Sequence, residues 1–560
     1  MTDLETQTFT GAGIGQGVAL GPVLRMAAPL PEPADEPSAR TPDDERARVA
    51  AAVKTVADDL RARAAKVSGT AADVLEAQSM MAEDSSLFDD VSARIDSGKT
   101  AERAVFEGFA VFRDMLIGLG GYMGERATDL DDVAQRVIAA LSGRPAPGVP
   151  ESDVPFVLVA HDLAPADTAL LDLTKVLGLV TREGGPTSHT AILAREKAIV
   201  AVVGVAGADT IADGDDVIVD AAVGTVTVNP DAASRADTAR RIEERASALS
   251  GSLDPGALAD GTPVPLLANL GATDGSQKAL DAGAEGVGLF RTEFLFLDQR
   301  MAPTVEQQRE QYKRLLSDFP GRKVVVRVLD AGADKPLEFL NDAHEDNPAL
   351  GLRGLRSLRA NEDLLREQLT ALAEADAVTD ADLWVMAPMV STVEETRYFV
   401  NLATELGLKT VGVMVEVPSA ALLADRILEH AAFASIGTND LTQYTLAADR
   451  LLGSVASFQD PWHPAVLRLI GEVGTAGAAA GKPVGICGEA AADPLLAVVL
   501  VGLGATTLSM SPSAIADVRL SLKNFSLDQA KRLAQTALAA DGAAEARDAV
   551  RAAVAGHPAP

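Results

Sequence analysis

Eight apolar runs of strand length, residues 264–271, 286–292, 323–330, 383–390, 410–418, 434–438, 483–488 and 506–511, recur through the second half of this 560-residue chain. Most of the intervals between them carry helical pattern. A (β/α)8 barrel and a doubly wound sheet both satisfy that alternation. The polar residues decide for the barrel. Arg291 and Glu293, Arg327 and Asp330, Glu416, Asn439 and Asp440, and Cys487 and Glu489 all fall at the C-terminal ends of the runs, where barrel enzymes keep their chemistry.

The first half reads differently. Residues 9–26 mix small and branched apolar residues with glycines and predict a short strand pair at the edge of a domain completed later, and a proline- and acid-rich break from Pro29 to Asp44 follows. From Asp44 to Gly143 the pattern is helical, with Val49, Val53, Val56 and Leu60 on one face and breaks near Gly69, Asp84, Gly98 and Gly120 that predict about five helices. Strand and helix signals then alternate from Phe156 to Asn229, so the helical block is inserted into an α/β domain. Residues 231–250 form a charged helix that Gly251–Gly256 ends. The fold class is therefore multidomain α/β: an α/β domain over 1–30 and 146–230, an inserted helical domain over 31–145, a linker helix and hinge over 231–256, and a barrel over 257–560.

A formal net charge of −31 argues against nucleic acid or an anionic membrane as partner. One cysteine, Cys487, excludes an intramolecular disulfide and fits a reducing cytoplasm. The N-terminus lacks the basic and apolar regions of a signal peptide, and no apolar run is long enough to span a bilayer, so a cytoplasmic location is expected. Gly98-Lys99-Thr100 resembles the end of a phosphate loop, but Ala93 stands at the earlier glycine position. Gly11, Gly13, Gly15 and Gly17 have the wrong spacing for a dinucleotide fingerprint, which leaves no nucleotide site.

Gly184-Gly-Pro-Thr-Ser-His-Thr-Ala191 places His189 where an apolar strand hands over to a helix. The glycine pair permits a tight turn, and the free N–H groups of a helix start favour an anion and a neutral imidazole, which suits a histidine that carries a phosphoryl group. Taken alone, Ser-His-Thr is more often a plain helix cap. At the barrel mouth, Arg291, Arg327, Arg353 and Arg450 would bring several forks to a small molecule carrying phosphate and carboxylate, although any one of them alone reads as a loop salt bridge. Glu416 and Asp440 suit either a shared hard cation such as Mg²⁺ or neutralisation of these arginines. Cys487 has two readings, a small buried residue or a proton donor.

With these residues assembled, the chain resembles enzyme I of the bacterial phosphoenolpyruvate-dependent sugar phosphotransferase system over essentially its whole length. The resemblance rests on the His189 motif and on Gly286-Val-Gly-Leu-Phe-Arg-Thr-Glu-Phe-Leu-Phe296, Gly412-Val-Met-Val-Glu-Val-Pro418, Ser435-Ile-Gly-Thr-Asn-Asp-Leu-Thr-Gln-Tyr444 and Gly485-Ile-Cys-Gly-Glu489. It implies that His189 is phosphorylated, that Arg291, Arg327, Asn439 and Arg450 hold phosphoenolpyruvate, and that Glu416 and Asp440 bind Mg²⁺. It further implies that Cys487 protonates the enolpyruvate to pyruvate, that Thr168 hydrogen-bonds the other nitrogen of His189, and that the helical insertion docks the carrier protein HPr. A homodimer through the barrel is implied as well. Gly15-Gln16-Gly17 departs from the family's usual Ser-Pro-Gly, and Pro186 stands where many members have arginine. Pyruvate phosphate dikinase and phosphoenolpyruvate synthase share both sets of segments but carry an additional large nucleotide-binding domain, for which this chain has no room. A noncatalytic docking protein on the same fold would be expected to lack some of these residues.

Overall fold

Each of the eight apolar runs carries a strand, β12 starting one residue ahead of its run: β9 (Leu266–Leu270), β10 (Val287–Arg291), β11 (Lys323–Arg327), β12 (Asp382–Ala387), β13 (Thr410–Val415), β14 (Ala434–Ile436), β15 (Val484–Ile486) and β16 (Thr507–Met510). In this computed structural model all eight pair in parallel, and β16 returns to β9, closing a barrel. The description covers residues 6–15, 17–26, 30–65, 70–119, 121–144, 148–150, 152–163, 171, 174–185, 188, 190–191, 194, 199–250, 254–296, 301–331, 337, 345, 347–450 and 452–555. Two-sided burial explains the continuous apolar runs. Val325, Met386 and Met414 cluster with Leu289, Phe433 and Cys487 inside the barrel, while their neighbours Val324, Val326, Val385, Val413 and Val415 pack outward under the helices. Each such side chain, fully buried, contributes about 1.5–3 kcal/mol relative to exposure. Some of the helices start on side-chain caps: Thr392 and Glu395 form a reciprocal capping box ahead of Val393–Glu405.

The N-terminal sheet has eight strands: β1 (Gln7–Thr10), β2 (Ala12–Ile14), β3 (Val18–Arg25), β4 (Phe156–Ala160), β5 (Val176–Thr181), β6 (Val200–Val203), β7 (Asp216–Asp220) and β8 (Thr225–Val228). Their order is β1-β8-β7-β3-β4-β5-β6-β2. The expectation of a strand pair at one edge is corrected here. The segment makes three strands, of which β1 and β2 occupy opposite edges and β3 lies inside. Gly11 makes this arrangement feasible: its N–H donates to Gly224 O at 2.9 Å, while an added Cβ would lie 2.6 Å from Val203 O, so one glycine sits against both margins of the sheet. β3 also changes partners along its length, pairing antiparallel with β7 up to Pro22 and parallel with β4 from Val23. Pro22, which has no N–H to give, stands at the changeover.

Between β3 and β4 run α1 (Pro42–Ala64), α2 (Thr70–Ala82), α3 (Ser85–Asp96), α4 (Ala101–Leu119) and α5 (Gly121–Ser142). Thr41 caps α1, accepting from Asp44 N at 3.2 Å, with Pro42 in the first turn and three acids following it, as the helix dipole favours. Val49, Val56 and Leu60 are buried and Val53 is half-buried, so the apolar face read from the sequence is the face that packs. After β8, Asn229 takes a left-handed φ of 50°, which asparagine tolerates better than most residues, and α6 (Ala232–Ser250) follows. The chain divides into two compact units within α6, between Ile242 and Glu243.

Gly412 on β13 tests the packing that carries the site. An added Cβ would lie 2.5 Å from the Phe433 ring and 2.6 Å from Phe433 O, and that ring packs on Trp384 with centroids 4.7 Å apart and planes tilted by 50°. Gly412→Ala should therefore destabilise the barrel by about 1–3 kcal/mol, measured as a lowered thermal midpoint. An unchanged midpoint would show that this layer yields freely.

Candidate active site

The inward parity of the strands runs past their last ladder bonds and delivers the functional side chains to the mouth. Arg327 follows Val325 by two residues, Glu416 follows Met414, and Cys487 follows Gly485, so all three continue the inward-facing rows. Arg291 ends β10 directly in register with Arg327 of β11.

Arg327 is the centre of the buried network. Its Nη2 donates to Glu293 Oε1 at 2.8 Å, its Nη1 lies 3.1 Å from Asp330 Oδ2, and Glu416 Oε1 is 3.8 Å away. Burial opposes its charge, yet these three carboxylates hold its pKa above the ordinary arginine value. Glu293 Oε1 also accepts from Asp330 N at 3.0 Å, while Glu293 Oε2 and Arg327 Nε have no hydrogen-bond partner among the described residues.

Arg353 extends the network. Its Nη1 donates to Asp440 Oδ1 at 2.7 Å and to Tyr444 OH at 3.3 Å, and its Nη2 reaches Asp330 Oδ2 at 3.4 Å. Asp440 Oδ2 is in turn 3.5 Å from Arg450 Nη1. Ala447, at φ 51°, ends the Thr438–Leu446 helix in a left-handed turn, and this returns Arg450, whose N–H donates to Gln443 Oε1 at 2.9 Å. Asn439 stands just outside: its Oδ1 accepts from Glu489 N at 3.1 Å and its Nδ2 donates to Glu489 Oε1 at 3.4 Å. Arg327, Arg353, Glu416, Asp440 and Arg450 thus meet in one chain of opposite charges, with Arg291 beside Arg327 and Cys487 in the lumen.

Glu416 accepts from Met389 N at 3.0 Å, and Met389 holds a left-handed φ of 56°, a strained conformation for an unbranched long side chain that the surroundings must enforce. Burial first, and Asp440 second, push the Glu416 carboxyl up to about 8 against the pull of Arg327. The Glu416–Asp440 donor set consists of two hard carboxylates, and an added Cβ on Gly437 would lie 2.6 Å from Glu416 Oε1, so the segment leading to Asp440 runs against this carboxylate. This chemistry fits a hard divalent cation that keeps waters. No group of three or more His, Cys, Asp or Glu is arranged for a metal among the described residues. Cys487 is buried, and burial pushes its thiol up to about 12, with Ser435 pulling the other way and Glu416 adding to the rise.

In the other unit, His189 and Thr168 lie outside the described residues. The frame around the histidine is described. Gly184 has φ +98°, and an added Cβ there would lie 3.0 Å from Ser188 Oγ, which accepts from Ala191 N at 3.3 Å as a helix-start cap does. Thr190 is buried, and its hydroxyl donates to Asp162 Oδ1 at 3.3 Å. Tyr444, which braces Arg353 and donates to Ala349 O, was not singled out by sequence reasoning. Its spacing of four from Asp440 on one helix face was the available signal.

Three family descriptions match: PEP-utilising enzyme, N-terminal, over residues 10–126; PEP-utilising enzyme, mobile domain, over 153–224; and PEP-utilising enzyme, PEP-binding domain, over 250–527. Phosphoenolpyruvate-protein phosphotransferase of Streptomyces coelicolor is 52% identical over 553 residues, covering 98% of this chain and 100% of the relative. The protein of the same name from Haloferax volcanii is 42% identical, covering 84% of this chain and 85% of the relative, and that of Geobacillus stearothermophilus is 36% identical, covering 97% of each.

The state of Glu416 has a thermodynamic signature. Its folded pKa lies above the ordinary 4.5, so its contribution to stability is complete below about that pH and is lost as pH rises through about 8. Metal-free protein should lose stability relative to Glu416→Gln across this window, read from urea midpoints. Parallel pH curves for the two proteins would show that Glu416 is ionised throughout.

Proposed function

The chain belongs to the phosphoenolpyruvate-protein phosphotransferase family, enzyme I of the phosphotransferase system, and from that premise we propose that it moves the phosphoryl group of phosphoenolpyruvate to its own His189 and then to the carrier protein HPr, releasing pyruvate. The observation that carries the reading is the barrel mouth, where Arg327, Arg353 and Arg450 alternate with Glu416, Asp330 and Asp440. Such a network can exchange carboxylate partners for the oxygens of a multiply charged substrate while the guanidinium groups stay paired.

Phosphoryl transfer passes through a loose transition state, so alignment and charge neutralisation do most of the work. Arg291, Arg327 and Arg450 bind the phosphate and carboxylate oxygens, and the Asn439 amide orients the substrate. Glu416 and Asp440 hold Mg²⁺, which when bound supplies charge neutralisation at the oxygens of the substrate. Arg353 keeps Asp440 in place. His189 is the nucleophile, with Thr168 on its second ring nitrogen setting the tautomer. Cys487 delivers the proton that converts enolpyruvate to pyruvate.

HPr docks on the inserted helices α1–α5, and the chain's net charge of −31 favours a carrier with a basic face. The acceptor and the mouth are carried on separate units, so the α6 linker must let them meet and part. The same reading includes a homodimer through the barrel and a cytoplasmic place at the head of sugar uptake. No helix among the described residues is long and apolar enough to cross a membrane.

Incubation with phosphorus-labelled phosphoenolpyruvate and Mg²⁺ should give acid-labile label on His189 without ATP, and HPr should remove it. His189→Ala should take no label yet still bind phosphoenolpyruvate; label at another histidine would overturn the assignment. Asp440→Ala should raise the Mg²⁺ concentration needed for half-maximal transfer by about tenfold or more, and an unchanged Mg²⁺ titration would return Asp440 to a purely structural pairing with the arginines.

A further inference from the structure

Cys487 stands in the lumen with its sulfur among groups that the reaction scheme leaves unused. Ser435 lies on β14 directly in register with Gly485 of β15. Gly485 has no side chain to intervene: a Cβ there would lie 3.8 Å from Ser435 Oγ and 2.8 Å from Thr507 Oγ1. Cys487 follows the last residue of β15, and the Ser435 hydroxyl is close enough to its sulfur to favour the thiolate. The thiol's own hydrogen points to Ile436 O, 3.4 Å from Sγ. The cysteine backbone is fixed from the far side, where Asn269 Nδ2 donates to Cys487 O at 2.9 Å. Beneath lies a cavity of about 20 Å³, lined in part by Ser435, Gly485, Thr507 and Ser509, which is room for one water molecule.

We propose that Ser435 is a positioning residue for the proton step: its hydroxyl steadies the Cys487 sulfur from below and donates a hydrogen bond to the thiolate formed there. The proposal rests on the reading of Cys487 as the acid. Cleavage of the phosphorus–oxygen bond leaves the enolate of pyruvate. Its C3 takes the hydrogen of the S–H bond, the enolate oxygen becomes the ketone, and the S–H electron pair stays on sulfur. The thiolate, surrounded by the apolar Met414, Phe433 and Leu289 and within the field of Glu416, needs a donor in place at the moment it forms. Ser435 is that donor, and the sulfur regains a proton from water after pyruvate leaves. A hydrogen bond to an anion is roughly twice as strong as one between neutral groups, so the hydroxyl favours the product side of this step.

The test separates the two half-steps in the full-length enzyme. With enzyme, Mg²⁺, phosphoenolpyruvate and pyruvate at equilibrium in D2O, deuterium entering the pyruvate methyl group is followed by NMR, and rapid-quench labelling follows the first phosphorylation of His189. Ser435→Ala should slow deuterium entry by about tenfold, with first-turnover labelling and the KM for phosphoenolpyruvate within about twofold of wild type, and Ser435→Thr, which keeps a hydroxyl, should recover most of the rate. Deuterium entry at the wild-type rate in Ser435→Ala, or an equal loss of both steps, would overturn the proposal. Cys487→Ala identifies which idea has failed: wild-type deuterium entry in that variant removes the acid itself, whereas loss in Cys487→Ala together with no loss in Ser435→Ala removes only the role of Ser435.

Discussion

A guanidinium buried in a barrel lumen is the constraint to which the second unit answers. An unpaired ion taken out of water costs several kcal/mol even after relaxation, so Arg327 demands acids, and Glu293 and Asp330 supply them, with Glu416 beside them. Those acids demand donors in turn. Backbone N–H groups of Asp330 and Met389 meet two of them, Arg353 meets Asp330, and the series continues through Asp440 to the half-exposed Arg450. The chain of alternating charge therefore leads from the dry interior to solvent, and its outer members are the ones that can change partners at least cost.

The barrel was legible because its strands are apolar runs whose polar residues gather toward their C-terminal ends, Glu416 in 410–418 and Arg327 and Asp330 in 323–330. The helical insertion was legible for a different reason, since its breaks at Asp84 and Gly98 are residues with local backbone roles, a helix cap and a left-handed φ of 95°. The strands stop earlier than their apolar runs, β13 at Val415 and β14 at Ile436. Residues read as strand ends therefore lie beyond them: Glu416 follows β13 on the inward-facing parity, whereas Asp440 lies in the first turn of the Thr438–Leu446 helix, where strand parity no longer applies.

Partner choice was not legible. Sequence spacing brings four arginines and two carboxylates to one mouth, but that Asp330 is shared by Arg327 and Arg353, or that Glu416 leans on the backbone of Met389, depends on loops folding back across strands distant in sequence. Whether Glu416 and Asp440 serve a cation or neutralise arginines was likewise open on spacing alone, and the structure shows both carboxylates already engaged with guanidinium groups. The β1–β3 segment misled for a topological reason: nothing local to residues 7–25 encodes that their partners lie on both margins and in the middle of a sheet whose remaining strands begin at Phe156.

That topology sets the order in which the first unit can be assembled. β1 is in register with Thr225–Val228, β2 with Ala201–Val203, and β3 with Asp216–Asp220 and Val157–Val159. During synthesis from the N-terminus, all three opening strands emerge with no mate in existence, and the five inserted helices, whose contacts are nearer in sequence, have the chance to fold before the sheet can. The opening strands must wait through that interval without recruiting one another or a neighbouring chain. The brevity of β1 and β2, the glycines at 11, 13, 15 and 17, and the proline within β3 make them poor templates for premature pairing, so residues that look like weak strand formers in the finished sheet act as safeguards for the unfinished one.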